Sequence, residues 1–141
     1  MDRRRQARVC AVQMLFQIDV GGEDPSHVFP AFWEDRRFGT EVREMAERLV
    51  RGTVARRDAI DSLVEESSEH WRLARMPVVD RNILRLAVYE FLCEKTPQIV
   101  VIDEAVDLAK RFGGEESGQF VNGLLDSLRK RLEPGLEETL S

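Results

Sequence analysis

The sequence predicts an all-α fold with six or seven helices, and three observations support this prediction. Apolar residues recur three and four positions apart along most of the chain, which is the spacing of one face of an α-helix. Glycine and proline residues interrupt that pattern at intervals that suit helices of ordinary length. The β-like run IVVI at residues 99–102 is short and leads directly into another helical pattern, so we assign it to a helix start.

The first half of the chain is predicted to contain three or four of these helices. Residues 7–18 carry the first apolar stripe, and the pair Gly21-Gly22 ends that helix. Ser26 is expected to cap a short second helix, in which Pro30 fits poorly. Thr40 is expected to cap a longer segment, which the pattern allows to be one helix or two joined helices.

The second half is predicted to contain three helices. Pro77 breaks the chain, and Asp80 is expected to cap a helix whose apolar face is wide. Leu86 lies outside that face, which indicates a central helix covered on several sides. The next helix carries an inward stripe that ends at Phe112, and the last helix is expected to begin near Ser117.

Composition is typical of one folded domain. The chain has 141 residues and is 43% hydrophobic, which is enough apolar surface for a core without metal or disulfide support. We expect an N-terminal lobe over about 1–75, a C-terminal lobe over about 76–132 and a loose tail over 133–141. Cys10 and Cys93 lie in apolar helical patterns, so we expect two buried, reduced thiols and a cytoplasmic protein. No run approaches the roughly 18 apolar residues that a membrane span needs.

Positive charge is concentrated at the N-terminus of an acidic chain. The formal net charge is −5, yet Arg3, Arg4, Arg5 and Arg8 fall within the first eight residues. Arginine at a helix start opposes the helix dipole, and its planar donors suit phosphate. The cluster is therefore interpreted either as a nucleic-acid contact or as an ordinary solvated surface.

The first helix carries a second apolar face. Val9, Val12, Phe16 and Val20 point roughly opposite to the stripe of residues 7–18, because successive residues turn by about 100°. Two interpretations remain open: a helix packed between neighbours, or an exposed strip for a protein partner with Phe16 as its aromatic anchor.

The last helix carries an aromatic residue beside its apolar stripe. Phe120 lies about 100° from the stripe that includes Val121 and Leu125. The ring either packs on a neighbouring helix or stacks on an unpaired nucleobase. Gly123, inside the same helix, indicates close approach of another backbone.

The sequence contains no pattern typical of an enzyme. His27 and His70 are isolated from other metal-ligating residues, so we predict no metal site. Nucleotide-binding glycine loops and nucleophile motifs do not occur, so we predict no cofactor and no catalytic residue.

Three blocks of the sequence together resemble the NusB family of bacterial transcription antitermination factors. They are RRRQARVCAVQMLF, DRNILRLAVYEF and IDEAVDLAKRFGGEESGQFVNGLLDSL, in the order and spacing of the family. The third block is the most specific, and the resemblance is weakest over residues 21–75. It implies two packed helical bundles, no catalysis, and binding to boxA, a short single-stranded RNA element in leader transcripts, notably of ribosomal RNA operons.

The resemblance also implies partners and roles for individual residues. The family pairs with NusE, a small-subunit ribosomal protein, in an antitermination complex on RNA polymerase. Carried over to this sequence, RNA phosphates are contacted by Arg3, Arg4, Arg5 and Arg8, and a base is stacked by Phe120 with Ser117 and Gln119 as polar neighbours. Glu116 matches an acidic position near the RNA, and because a carboxylate repels phosphate we expect it to restrain affinity. Val12 lies on the second apolar face, and Phe16 and Asp80 match positions associated with NusE.

This sequence departs from the family pattern in ways that leave two alternatives open. Gln6 interrupts a run that is often more basic, Gly118-Gln119 stands where relatives can carry a basic residue, and Phe16 lacks a tyrosine hydroxyl. The protein is therefore alternatively a protein-interaction module with little RNA binding of its own. A NusB-like N-terminal fragment of an RNA methyltransferase is the other alternative. Without NusE, the apolar strip could pair with a second copy to form a homodimer.

Overall fold

The computed structural model describes residues 2–69 and 71–132, and within them the chain forms seven α-helices and no strand. The helices are α1 (Arg3–Gly21), α2 (Pro25–Glu34), α3 (Thr40–Ala55), α4 (Arg57–Ser67), α5 (Val78–Cys93), α6 (Gln98–Gly113) and α7 (Glu115–Leu132), with a 3₁₀ turn at Leu73–Arg75 before α5. The all-α prediction is confirmed. His70 and the predicted tail 133–141 lie outside the described residues.

Several helix boundaries differ from the predicted ones because other side chains provide the caps. Asp24, rather than Ser26, caps α2, since its carboxylate accepts hydrogen bonds from the Ser26 backbone N–H and hydroxyl at 2.9 and 2.8 Å. Pro30 lies inside α2. Gly39 and Pro77 occupy the cap positions of α3 and α5, so Thr40 is the first residue of α3 and Asp80 lies in the first turn of α5.

A break at Arg56 resolves the long segment into two helices. The backbone of Arg56 leaves the helical conformation at φ −112° and ψ 18°, which separates α3 from α4. The run at residues 99–102 lies in the first turns of α6, as predicted. The turn between α6 and α7 contains Gly114 at φ +88°, a conformation that only glycine adopts without strain.

Helix α5 is the centre of the fold. It packs against α1, α3, α4, α6 and α7, which confirms the prediction made from Leu86. Its buried residues are Asp80, Asn82, Ile83, Leu84, Arg85, Leu86, Ala87, Val88, Tyr89, Glu90 and Phe91. The core thus includes ionisable groups that must find partners on other helices, because burying an isolated charge is costly.

Arg85, one of those buried charges, finds its partners on α1 and α4. Asp19 of α1 accepts hydrogen bonds from Arg81, Asn82 and Arg85 at 2.7 to 2.9 Å. Arg85 also donates to both carboxylate oxygens of Asp61 on α4 at 2.8 and 3.1 Å. These bonds tie the end of α1 and the middle of α4 to the central helix.

Both cysteines are free thiols, and they differ in burial. Cys10 is 1% exposed and Cys93 is half-buried. Burial raises the pKa of the Cys10 thiol to about 11. No helix in the described part of the chain has the length and apolar character that a bilayer crossing demands.

Acid should destabilise the protein through Asp19. Burial alone would raise the pKa of this carboxyl group, but the hydrogen bonds from Arg81 and Asn82 and the charge of Arg85 lower it to about 2, from an ordinary value of 3.8. A lowered folded-state pKa means that the stabilisation is complete above about pH 4 and is lost as the pH falls toward 2. The expected loss is roughly 2 kcal/mol.

Urea unfolding at a series of pH values between 7 and 2 checks this expectation. Asp19→Asn should be less stable than the parent at pH 7 and should lose about 2 kcal/mol less on acidification. Asp35→Asn, at an exposed loop position, is the matched control and should follow the parent curve. If the free energy of unfolding fell equally for the parent and for Asp19→Asn between pH 4 and pH 2, the assignment would be contradicted.

Candidate nucleic-acid interface

The first turn of α1 presents two exposed arginines. Asp2 caps the helix by accepting a hydrogen bond from the Arg4 backbone N–H at 3.0 Å, so the arginines begin immediately at its surface. Arg3 pairs with Glu41 of α3, and both side chains are more than 70% exposed. The Arg4 guanidinium is exposed and has no ion pair among the described residues. Both groups are accessible to a phosphate.

Arg5 is already engaged by two carboxylates of α6. Its Nε lies 3.0 Å from a Glu104 oxygen, and its Nη2 lies 3.0 Å from an Asp107 oxygen. The side chain is nevertheless 42% exposed. A phosphate can therefore reach Arg5 only in competition with these two acids.

Arg8 is not at the surface, so its predicted phosphate contact is wrong. The residue is 3% exposed, and its guanidinium forms a bidentate pair with the equally buried Glu90 of α5. Nε donates to both carboxylate oxygens at 3.0 and 3.2 Å, and Nη2 donates at 2.8 Å. This buried ion pair holds α1 against α5, because removal of either partner would leave the other charge buried and unpaired.

Phe120 lies at the edge of the core beside an open groove. The ring is half-buried and packs against the hydrophobic cluster, while it also lines a groove of about 410 Å³ between α7 and the segment that follows α4. This α7 groove is lined by Ser67, Ser68, Glu69, Trp71, Gln119, Phe120, Gly123, Leu124 and Ser127. The ring thus has a core contact and an accessible part, so its burial is compatible with either of the two interpretations drawn from the sequence.

Gly123 widens this groove instead of admitting another backbone. A Cβ atom built at this position would meet nothing within 4 Å in the described part of the structure. The expectation of a close backbone approach at Gly123 is therefore wrong. The missing side chain leaves open space beside Phe120.

The residues before Phe120 in α7 have different environments. Glu116 and Gln119 are exposed, and Ser117 is half-buried. The Ser117 hydroxyl donates to a carboxylate oxygen of Asp80 at 3.3 Å. Glu116 and Gln119 are thus free to meet a ligand, whereas Ser117 has a structural partner.

Asp80 is buried, which argues against its predicted contact with a protein partner. It is 3% exposed, and burial raises the pKa of its carboxyl group despite the hydrogen bond from Ser117. A Cβ atom at Gly113 would lie 2.2 Å from the Ser117 Oγ and 3.5 Å from an Asp80 oxygen, so glycine is required for this close packing. Through its hydrogen bond with Ser117, Asp80 therefore helps to position the first turn of α7.

Lys110 brings a cation to Gly118-Gln119, where α7 itself has no basic residue. The aliphatic part of the Lys110 side chain packs over Gly118, since a Cβ atom built on Gly118 would lie 2.7 Å from the Lys110 Cγ. The lysine is exposed. Positive charge at this end of α7 thus comes from α6, not from the helix itself.

Phe16 lies in a second groove, on the opposite face of α1 from its buried stripe. This Phe16 groove has a volume of about 370 Å³ and is lined by Val12, Gln13, Phe16, Gln17, Arg36, Val79 and Phe112. Phe16 is 39% exposed and Val20 is 62% exposed, whereas Val9 and Val12 are buried. On the second face of α1, the N-terminal residues Val9 and Val12 are therefore buried, while the C-terminal residues Phe16 and Val20 are exposed.

Two aromatic residues at these grooves were missed or misplaced by the sequence patterns. Phe112 was expected to face the core but is 36% exposed and lines the Phe16 groove. Trp71 is 48% exposed in a segment without helical periodicity. The available signal for Trp71 was a large aromatic residue among charged and polar neighbours.

Comparisons with known proteins identify relatives over nearly the whole chain. Residues 5–130 match the NusB family. The transcription antitermination protein NusB of Koribacter versatilis is 47% identical over 132 residues, which cover 92% of this chain and 90% of the relative. The NusB protein of Pelotomaculum thermopropionicum is 50% identical over 125 residues, which cover 86% of this chain and 85% of the relative.

Solved structures show the same fold. NusB of T. maritima is 40% identical and superposes with a TM-score of 0.85 over 99% of both chains. A chain in a crystal structure of antitermination factors NusB and NusE in complex with dsRNA is 33% identical, with a TM-score of 0.85 over 93% of this chain and 98% of that one. On the family match and on these identities over most of its length, the chain belongs to the NusB family.

Proposed function

We propose that this protein binds boxA-type single-stranded leader RNA together with NusE and thereby suppresses premature termination, notably in ribosomal RNA operons. The supporting observation is the conjunction of two surfaces in a family member: exposed arginines at the start of α1 and an accessible Phe120 beside a groove. Phosphate contacts position an RNA, while contacts to unpaired bases supply sequence preference. Bacterial transcripts are made in the cytoplasm, where we expect the protein to act as part of an antitermination complex on RNA polymerase.

Phosphate binding is assigned to Arg3, Arg4 and Arg5. Arg3 and Arg5 must exchange a carboxylate for a phosphate, whereas Arg4 has no such competitor in the described structure. Glu116 adds an exposed carboxylate close to Phe120, which restrains affinity for a polyanion. The RNA interface is therefore weakly cationic, and a partner that adds contacts would strengthen binding.

NusE is assigned to the Phe16 groove. A half-exposed aromatic ring in an apolar depression is typical of a binding hot spot. Val12 forms the buried wall of the groove, and Phe112 adds a second exposed ring. In the absence of NusE the same groove is available to a second copy of the chain.

A protein-interaction module with little RNA binding of its own is the second candidate. Two observations favour it: carboxylates of neighbouring helices pair with Arg3 and Arg5, and Arg8 is buried. Both reduce the positive charge that is available to RNA. The relatives described above are antitermination proteins, so the comparisons do not favour a methyltransferase fragment. A gel shift with boxA-type RNA, with and without NusE, separates the two candidates: no boxA-dependent shift in either lane would leave only the interaction module.

The salt dependence of RNA binding should show how many N-terminal arginines contact phosphates. Three exposed guanidinium groups, each neutralising one phosphate, predict a slope of about −2 for log affinity against log salt on single-stranded RNA. Arg4→Gln combined with Arg5→Gln should flatten the slope by about 1.4 and weaken binding to all RNAs equally. Filter binding at several salt concentrations measures this, with Arg37→Gln, an exposed arginine between α2 and α3, as control. An unchanged slope in the double variant would refute the assignment.

Removal of the acid that competes for Arg5 should strengthen RNA binding. Asp107→Asn frees an Nη2 donor that is now 3.0 Å from a carboxylate oxygen. Because exposed ion pairs contribute about 0.2–1 kcal/mol, we expect affinity to rise by about 1.5- to 5-fold at low salt. Asp103→Asn changes the charge of α6 equally at an exposed residue that has no ion pair in the described region. Equal gains from the two variants would show a general charge effect and no specific release of Arg5.

Phe16 should be required for the protein partner and not for free RNA binding. Phe16→Ala should lower the affinity for NusE by at least about 30-fold, the effect of losing a hot-spot aromatic. Isothermal titration of the purified proteins measures it. Ile99→Ala, at an apolar residue that is 67% exposed on α6 and does not line the groove, is the control and should leave the affinity unchanged. Full NusE affinity in the Phe16 variant would place the partner elsewhere.

A further inference from the structure

The α7 groove contains a second aromatic residue that faces the same space as Phe120. Trp71, on the segment after α4, and Phe120, on α7, form parts of its two walls. At 48% exposure, Trp71 leaves much of its indole in solvent, so the ring is accessible to a ligand. Two accessible aromatic side chains in one groove offer stacking surface for a flat ligand.

The segment that carries Trp71 is held in place by side chains of α4. The Trp71 backbone N–H donates to the Ser68 hydroxyl at 3.1 Å, and the Leu73 backbone N–H donates to a Glu65 carboxylate oxygen at 3.1 Å. Leu73 is buried in the core. The indole is therefore presented by a fixed backbone rather than by a free loop.

The remaining lining of the groove suits an uncharged polar ring. Ser67, Ser127 and Gln119 provide hydroxyl and amide groups that can both donate and accept hydrogen bonds. Glu69 also lines the groove, and its carboxylate disfavours a phosphate inside it. Gly123 leaves the wall beside Phe120 without a side chain.

A cation lies at the end of the groove. Residues 120, 124, 127 and 131 share one flank of α7, because they are spaced three and four apart. Arg131 donates to the Ser67 hydroxyl at 2.8 Å and pairs with Glu66 at 3.0 Å, yet it is 44% exposed. An anionic group attached to a ligand in the groove could reach this guanidinium.

We propose that the α7 groove binds an unpaired nucleobase between Trp71 and Phe120, with Arg131 contacting an adjoining phosphate. The proposal rests on the RNA binding proposed above and extends that interface beyond Phe120. Its occupant is a single-stranded ribonucleotide, because a base held in a duplex cannot enter between the two rings. Gly123 serves the site by leaving room for the base.

Intrinsic fluorescence tests this directly, because the sequence contains two tryptophans. Trp33 is 6% exposed and donates its indole N–H to Glu47 at 2.8 Å, so it is shielded from a ligand. Titration with an unpaired twelve-nucleotide boxA-type RNA should quench the emission of Trp71. The quenching should be absent in Trp71→Phe and absent when the same RNA is offered as a duplex.

Affinity measurements with matched variants complete the test. Trp71→Leu and Phe120→Leu should each weaken binding of the single-stranded RNA by about 5- to 150-fold, the range for one lost stacked base. Trp71→Phe should stay within about threefold of the parent, since it retains an aromatic face. Gly123→Leu should weaken binding by filling the groove, while Gly123→Ala should fold at least as stably as the parent because alanine favours helix and meets no neighbour.

The outcomes distinguish a failure of the groove proposal from a failure of the proposed RNA-binding function. If the double variant at Arg4 and Arg5 weakens RNA binding while Trp71→Leu does not, the RNA function stands and the groove proposal fails. If no RNA binds the parent with or without NusE, both fail. If Trp71→Leu instead weakens NusE binding in the absence of RNA, the groove is a protein site and the proposal is overturned. Thermal unfolding of each variant confirms that it is folded.

Discussion

The fold depends on the charged residues buried in its central helix. Asp80, Arg85 and Glu90 are each 5% exposed or less, and each is paired with another helix. Glu90 binds Arg8 of α1, Arg85 binds Asp19 of α1 and Asp61 of α4, and Asp80 accepts from Ser117 of α7. Because an unpaired charge in the core would cost roughly 3–5 kcal/mol, the ion pairs of Arg85 and Glu90 fix the register of α1 and α4 on α5.

That constraint explains why the N-terminal arginines divide into two groups. Arg8 follows Arg5 by three residues and lies on a neighbouring part of the helix face, yet Arg8 satisfies a core carboxylate while Arg3, Arg4 and Arg5 remain at the surface. The exposed group is in turn moderated by Glu41, Glu104 and Asp107. An acidic protein can thus present a small cationic surface whose strength is limited by its own carboxylates.

The two grooves give each face of the molecule a distinct chemistry. The Phe16 groove is apolar, with two exposed phenylalanines, which suits a protein surface. The α7 groove combines two aromatic rings with hydroxyl and amide groups, which suits a nucleobase. The buried Asp80 lies beneath the start of α7 and contributes to the position of Phe120 without touching a ligand.

By itself the sequence determined the helical class, the central position of α5 and the placement of Phe120 beside the core stripe. These properties follow from the helical period, which is a local property of the chain. Only the tertiary structure decided that Arg8 and Asp80 are internal, that Phe112 is exposed, that Gly123 opens a groove and that Trp71 lines that groove with Phe120. The physical reason is that burial depends on which helix covers a given face: Glu90 lies 82 residues from Arg8, and no local pattern connects them.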